Sequence, residues 1–489
     1  MSLKTCPPRH LILAAALLAC DPGDDAGPVS TCPLDQVTRM VAPPRGWRAD
    51  LDGLLFQTFG DHVFYRFVRS ADPAPTYWRI DRCGGEPERF TSATPDMNRL
   101  TGLETDEGWV LYAQEDERHF ILDRLDVPGF DAPRPVPGLP AGKYGANASA
   151  LGMHFSSLTD GQNNLGGAAG IGAPTRALYL HHGVADAPVV TLGVRVVQHQ
   201  IVGDRIFTLD EDGDLRDVDP VTGASGLVLA GVRRFNISDA ARRLIWQQLG
   251  DDVSEPIFLR DLDTGEDRQI AVNDFTALSW NRPGDPDSPG TGIWAFAAEG
   301  DYAALYGPAH ALAAVVRTAD GAPIEPPPGA RLRGNLGRGF ALTRDHDDET
   351  AWLRWDPATG VLHEWYRGPV GTASLQLFAV DDDFIDYVDI DESGHSGVLW
   401  RVDHRTGETT MLVPRVGAGT TVLADGRYLT AFPSRSFFPF DVVVFDPDTG
   451  RYTTVAADVD NFRFFPDQGV LFLGGDHGPG LWAAPIPPR

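Results

Sequence analysis

Several things this chain has little of narrow what it does. Positive charge is short: 41 Lys and Arg stand against 68 Asp and Glu, a net charge of -27, which disfavours nucleic acid and anionic lipid headgroups as partners. After the first twenty residues no apolar run is long enough to cross a bilayer as a helix. Cysteine is scarce, at four residues, and neither Cys32 nor Cys83 has a second Cys or a His at metal-ligand spacing. Catalytic signatures are missing too. There is no Gly-x-Ser-x-Gly elbow, since Gly394-His395-Ser396-Gly397 has the wrong spacing, and no His-Glu-x-x-His, phosphate-cradling loop or Gly-x-Gly-x-x-Gly ahead of a helix. Hydrolase, metalloprotease and nucleotide-binding readings all lose support. Long amphipathic helices are hard to find, whereas 53 Gly, 39 Pro and 10% aromatics suit many short strands joined by tight turns.

What is present is a turn that keeps returning. Asp219-Pro220-Val221-Thr222-Gly223, Asp261-Leu262-Asp263-Thr264-Gly265, Asp356-Pro357-Ala358-Thr359-Gly360, Asp403-His404-Arg405-Thr406-Gly407 and Asp446-Pro447-Asp448-Thr449-Gly450 share one pattern. The Asp carboxylate accepts hydrogen bonds from backbone N–H groups just ahead of it, and Gly supplies a positive φ at no steric cost. Apolar runs flank the turns, as in Val442 to Phe445, so each reads as strand, tight turn, strand.

Weaker copies extend the series. Asp81-Arg82-Cys83-Gly84-Gly85 keeps the Asp and Gly, and Gly129, Gly183 and Gly321 sit at hairpin-like positions; successive turn glycines then lie 39 to 56 residues apart. That is the period of a propeller blade. Four strands can be sketched in the cleanest units: Val196 to Val202, Arg205 to Leu209, Asp214 to Val218 and Leu227 to Ala230 in one, and Ser374 to Val380, Phe384 to Val388, Val398 to Val402 and Thr409 to Val413 in another. The chain's end offers three, Phe462 to Phe465, Val470 to Leu473 and Leu481 to Ile486. A strand near Val37 to Val41 would complete that unit and close a ring. The expectation is an all-β fold, a single β-propeller of four-stranded antiparallel blades over residues 37–489, about eight blades with seven to ten open. Two smaller propellers are the alternative. The region Pro128 to Thr175 fits least well, its run Gly161 to Gly172 being glycine-rich and patternless.

The first twenty residues read as an address. Lys4 and Arg9 precede the apolar run Leu11 to Ala19, and Leu17-Leu18-Ala19-Cys20 resembles the lipobox of bacterial lipoproteins. That resemblance implies cleavage before Cys20 and lipid attachment to it, and so an exported protein, periplasmic or at the cell surface, held to a membrane only by its lipid. An ordinary secretory signal is the alternative. Residues 21–36 read as a flexible tether. Removing Lys4 and Arg9 would take the net charge to -29. With Cys6 lost and Cys20 lipidated, Cys32 and Cys83 remain, and in an oxidising compartment they are predicted to form a disulfide pinning the tether to the first repeat. Two unrelated thiols are the other possibility.

Tyr77-Trp78-Arg79-Ile80-Asp81 followed by Cys83-Gly84-Gly85, and Leu399-Trp400-Arg401-Val402-Asp403 followed by Thr406-Gly407-Glu408, resemble repeats of the Tol-associated propellers and of the propellers attached to prolyl oligopeptidase-type peptidases. The resemblance holds at repeat level over most of residues 40–489. It departs from the Tol-associated pattern in lacking regular Ser-Pro-Asp-Gly turns and an N-terminal accessory domain. It implies a binding platform. The peptidase's catalytic half is absent.

Two groups of residues are candidates for chemistry. Asp389, Asp391 and Ser393 before Gly394 match the opening spacing of a calcium loop, although Trp400 stands where the downstream Glu belongs. Other acidic hairpins, Glu115 to Glu117, Asp210 to Asp214 and Asp345 to Glu349, would share a face with it. His181 and His182, with His154 and His199, form the histidine grouping, and His181-His182 are expected on a hairpin tip. Calcium is the one cofactor considered; otherwise none is expected. Trp78, Trp355, Trp400 and Trp482 fall inside strands and are assigned to packing. The reading overall is a monomeric, non-enzymatic propeller that binds a protein, peptide or envelope glycan. The alternative is a propeller enzyme, a carbohydrate lyase or hydrolase, with a site at the pore mouth.

Overall fold

The computed structural model describes residues 37–42, 53–59, 62–68, 77–81, 84–89, 99–105, 108–115, 118–124, 134–157, 175–184, 186–238, 242–250, 254–274, 294–297, 301–306, 312–336, 339–369, 375–380, 384–390, 396–403, 406–433, 439–465, 469–474, 477–478 and 480–489. Among these, every regular element is a strand, and every pairing is antiparallel. Among the described residues no helix is long and apolar enough to cross a membrane.

The recurring turn does what its residues dictate. In the Asp219 copy the carboxylate Oδ1 accepts the Val221 N–H at 2.9 Å, the Thr222 N–H at 2.7 Å and the Thr222 hydroxyl at 3.0 Å. Gly223, at φ 72°, donates its N–H to the Asp219 carbonyl, and the Asp219 N–H bonds the Ala224 carbonyl beyond the turn. The same Gly-to-Asp backbone bond closes the turns at Asp261, Asp356, Asp403 and Asp446, at 2.8 to 2.9 Å. The weaker copy at Gly321 keeps the bond with changed parts: Arg317 takes the Asp place, and its guanidinium pairs with Asp320. The Asp81 copy also keeps it, through Gly84. Gly223 is crowded as well as left-handed, because a Cβ there would lie 2.8 Å from the Thr191 carbonyl oxygen, whereas at Gly360, φ 73°, it would meet nothing. Gly223→Ala is therefore expected to destabilise by more than about 1 kcal/mol and Gly360→Ala by clearly less, read from paired urea melts.

The turns at Asp261, Asp356 and Asp403 join the third and fourth strands of four-stranded sheets, and those at Asp219 and Asp446 lie in larger ones. Six sheets have four strands and two have seven. Each seven-stranded sheet divides at a long strand. Val190–Val202 pairs through its first half with Arg176–His181 and through its second with Arg205–Asp210. Arg451–Phe465 likewise serves Phe440–Asp446 and then Gly469–Gly474. Counted by strand pairing, ten four-stranded sets stand among the described residues. The second seven-stranded sheet ends in Leu481–Ala484, and its last neighbour is Thr38–Val41, Arg39 lying opposite Trp482 and Val41 opposite Leu481. Strands from the two ends of the described chain thus share one sheet. Met40 and Val41 are buried with Leu471, Leu473, Leu481 and Ala483, in a core that also takes in Val63, Tyr65 and Ile80.

The chain falls into two compact units. One comprises Met1–Asp96, Pro128–Ala132 and Thr372–Arg489, and the other Met97–Val127 and Pro133–Gly371. Within the second, first strands of successive sets lie side by side: Arg99–Thr105 against Tyr144–Ser149, and Val190–Val202, Val232–Ser238, Trp294–Ala297 and Arg331–Leu336 in turn. The protein is of the all-β, β-propeller class.

Side-chain amides reinforce one of these junctions. Gln198 donates to the Phe235 carbonyl at 2.6 Å and accepts the Phe235 N–H at 3.2 Å, and Gln200 treats Ile237 the same way at 2.8 and 3.0 Å. Each amide substitutes for a missing strand partner. Gln198 is buried, so Gln198→Ala leaves both Phe235 backbone groups without that partner and is expected to cost about 1–3 kcal/mol, measurable as a fall in the urea midpoint.

Candidate functional site

Strand Gly152–Ser157 alternates between two environments. Met153 and Phe155 enter an apolar core with Tyr112, Tyr144 and Tyr179, so the period of two sends His154 and Ser156 to the opposite face. There they stand opposite Leu180 and Leu178, members of a second apolar cluster. His199 and His182 act on His154 here, whereas His181, registered opposite Met153, faces the Tyr112 core.

His154, only 5% exposed, contacts the Ser149 hydroxyl through Nε2 at 2.7 Å; its Nδ1 is buried without a partner. Burial above all, with His199 and His182 nearby, pushes its pKa down to about 4. Ser149 is itself held in the turn, its Oγ accepting the Leu151 N–H and reaching the Gly152 carbonyl at 3.3 Å. His181 is fully buried. Its Nδ1 accepts from the Tyr112 hydroxyl at 2.6 Å and from the Gly183 N–H at 3.2 Å, which leaves Nε2 to donate to the Ala187 carbonyl at 3.1 Å. That pattern selects the neutral Nε2–H tautomer. Burial lowers the His181 pKa and raises that of Tyr112 well above the usual phenol range, so both stay uncharged. His199 is also held low, by burial and then by Arg176. His182 places Nδ1 3.0 Å from the Leu151 carbonyl and Nε2 3.0 Å from that of Pro220.

The sequence grouping therefore divides in space: His154, His182 and His199 lie together, and His182 stands in the connection between Arg176–His181 and Val190–Val202, while His181 departs from the expected hairpin tip. His181 ends strand Arg176–His181 with its ring turned inward onto Tyr112, because that contact and the Ala187 carbonyl satisfy both nitrogens away from water. Five of the eight ring nitrogens are engaged by these bonds. Among the described residues no group of three or more His, Cys, Asp or Glu side chains is placed to hold a metal ion. Ser149 and His154 have nucleophile-to-base spacing, but no acid orients His154 Nδ1, and an imidazole with a pKa about 4 is a poor base near neutrality. Nothing in the sequence pointed to Tyr112, 69 residues from His181. Ser149 was legible in principle, since Tyr144–Ser149 and Gly152–Ser157 form a tight hairpin inside the region that fitted the repeat least well.

Of the calcium-loop candidates, Asp389 lies near the end of strand Phe384–Ile390, opposite Val398, and is partly buried. Asp391 and Ser393 lie outside the described residues, as do Cys20, Cys32, Cys83, the signal segment, the tether and Gly161 to Gly172. The Asp210 hairpin is described, and arginines surround its acids: Arg195 pairs with Glu211 and Asp212, and Arg216 with Asp210 and Asp214. At the next such tip Arg331 meets Asp345 and Arg367 approaches Glu349. Among the tryptophans, Trp355 is buried in a core and Trp78 packs against another, as assigned.

No known family model matches the chain, and no curated protein does. Solved structures do overlap with it. The tricorn protease aligns at 15% identity over 85% of this chain and 42% of its own, with a TM-score of 0.24. Dipeptidyl peptidase 4 of Porphyromonas gingivalis aligns at 12% over 70% of this chain and 59% of its own, TM-score 0.38. The β-propeller domain of the trilobed protease from Pyrococcus furiosus aligns at 11% over 59% of this chain and 92% of its own, TM-score 0.30. The chain therefore spans less than two thirds of the first two. Overlaps this loose, at such identities, transfer neither an activity nor a site.

Proposed function

We propose that this chain is an exported propeller module, anchored through a lipid on Cys20, that binds a protein, peptide or envelope glycan without transforming it. The observation that carries the reading is how the described polar residues are used. Both ring nitrogens of His181 and of His182 are taken up by internal bonds, while the hairpin tips form an acidic, arginine-braced surface on a strand framework. Rigid scaffolds with exposed variable loops are how recognition surfaces are commonly built. The reading also takes residues 37–489 as one propeller, Cys32–Cys83 as a disulfide, and Asp389, Asp391 and Ser393 as a calcium loop on the acidic face.

Thermal unfolding of residues 33–489 against calcium, other divalent metals, envelope glycan fragments and cationic peptides tests it. A rise in melting temperature with the glycan or peptide class supports the binding role. No rise with either, and no envelope component retained from detergent extract by the immobilised chain, would contradict it. Membrane retention of wild type that Cys20→Ser abolishes is the outcome expected for the anchor.

The enzymatic alternative rests on the Ser149–His154 contact. A fluorophosphonate probe is expected to leave Ser149 unlabelled, since its partner is a weak base with no acid behind it; stoichiometric labelling would restore the hydrolase reading.

A further inference from the structure

His182 has an arrangement that the other three histidines lack. Its two ring nitrogens each lie 3.0 Å from a backbone carbonyl, and the carbonyls belong to different parts of the sheet. Leu151 sits in the hairpin turn between Tyr144–Ser149 and Gly152–Ser157. Pro220 sits in the Asp219 turn between Leu215–Val218 and Ser225–Leu229. These are the two halves of the seven-stranded sheet that share Val190–Val202. A neutral imidazole donates one hydrogen bond and turns a lone pair towards the second carbonyl. An imidazolium donates both.

We propose that His182 is a proton-operated latch: on protonation it bonds both carbonyls and staples the Asp219 turn to the Leu151 turn, and on deprotonation it releases one of them. The surroundings favour this division of labour. His154, on Gly152–Ser157, has one nitrogen on Ser149 and the other without an acceptor, so a proton there would be a buried, unpaired donor. His181, the preceding residue, has Nδ1 occupied by two donors. His199, on Val190–Val202, lies under the influence of Arg176, on Arg176–His181. The Asp219 carboxylate in the facing turn accepts from Val221 and Thr222 within that turn. Asp186, four residues on, is the remaining carboxylate of the same loop. Of the four rings, His182 alone meets an acceptor at both nitrogens. The turn it reaches is seated, with Gly223 against Thr191 and Val190, so gaining or losing the Pro220 bond changes a packed contact.

Amide hydrogen exchange of the full chain tests the latch at Gly223 and Asp219, whose N–H groups close the turn. Between pH 8 and 5.5, after correction for intrinsic rates, wild type is expected to gain roughly tenfold or more in protection, the equivalent of one added charge-assisted hydrogen bond. His182→Gln, which carries no titratable ring, is expected to show no such gain. The same gain in His182→Gln, or none in wild type, would overturn the proposal. Should that variant fail to fold, the ring ¹⁵N resonances of wild type decide, with His182 identified by its couplings across the Leu151 and Pro220 bonds. Couplings from both His182 nitrogens, to Leu151 and to Pro220, at pH 5.5 but from only one of them at pH 8 support the latch; the same couplings at both pH values refute it.

Discussion

Lowering the pH from 6.5 to 4 should cost this fold about 3 kcal/mol through His154 alone. An imidazole with an ordinary value of 6.5 is held to about 4 here, chiefly by burial. Across that window the unfolded chain binds a proton that the folded chain does not, so stability drops by about 1.4 kcal/mol per pH unit as pH falls. The contribution is fully present above 6.5. His181 and His199 are lowered by the same cause and act in the same direction. The turn carboxylates respond elsewhere on the scale. Asp219 is held low first by the Thr222 N–H, and Asp320 is held at about 2 first by Arg317, so their contribution is lost only as pH falls below the usual carboxylate range. Urea midpoints of wild type and His154→Gln between pH 8 and 4 separate the two. The variant is expected to be weaker at pH 8 but to have a much flatter slope down to 4.5. An unchanged slope would show that His154 is not the titrating group.

Removing the first 42 residues should be as damaging, although it takes away only one short strand of the described fold. Thr38–Val41 is the partner of Leu481–Ala484, and it carries Met40 and Val41 into a core with Leu471, Leu481 and Val63. Truncating a buried Met to Ala alone costs about 2–5 kcal/mol; losing Met40, Val41 and the backbone pairing together should cost at least about 4 kcal/mol and leave Leu481–Ala484 as an exposed edge. A chain starting at residue 33 is the control. It should melt like the intact protein, and the chain starting at residue 43 many degrees lower. Equal melting temperatures would mean that the first strand contributes nothing to the sheet.

The parts of this fold that were legible in sequence are those whose cause is local. The Asp-x-x-Thr-Gly turn closes on itself, so five copies could be recognised without knowing what surrounds them, and the strands beside them fell where expected: Ser374 to Val380 against Leu375–Val380, and Phe384 to Val388 against Phe384–Ile390. The closing strand was legible because the last unit lacked a fourth member. The continuous strands Val190–Val202 and Arg451–Phe465 were not. Each changes partner midway through a bulge, beside Gly193 in the first and at Asp458 with φ 54° in the second, where the chain shifts register without reversing. The histidine site was half legible. His154, His182 and His199 come together as their residue type suggested, but His181 turns to the opposite face because its burial depends on Tyr112, which belongs to another sheet, and no local pattern encodes a contact of that kind.

The most direct measurement for the account as a whole is a cross-link between the two ends of the chain. Arg39 and Trp482 are opposite one another across the antiparallel pair, with the guanidinium over the indole, 5.4 Å from its centroid. Opposed Cα atoms in such a pair lie about 4.5–5.5 Å apart, within disulfide reach. In residues 33–489 carrying Cys83→Ser, the double substitution Arg39→Cys and Trp482→Cys should form a disulfide under mild oxidation, seen as a linked peptide by mass spectrometry and as a higher melting temperature that reductant reverses. Arg39→Cys with Asn461→Cys should not. A folded protein in which residues 39 and 482 fail to link, or link no faster than residues 39 and 461, would contradict a propeller-type sheet completed by strands from both ends.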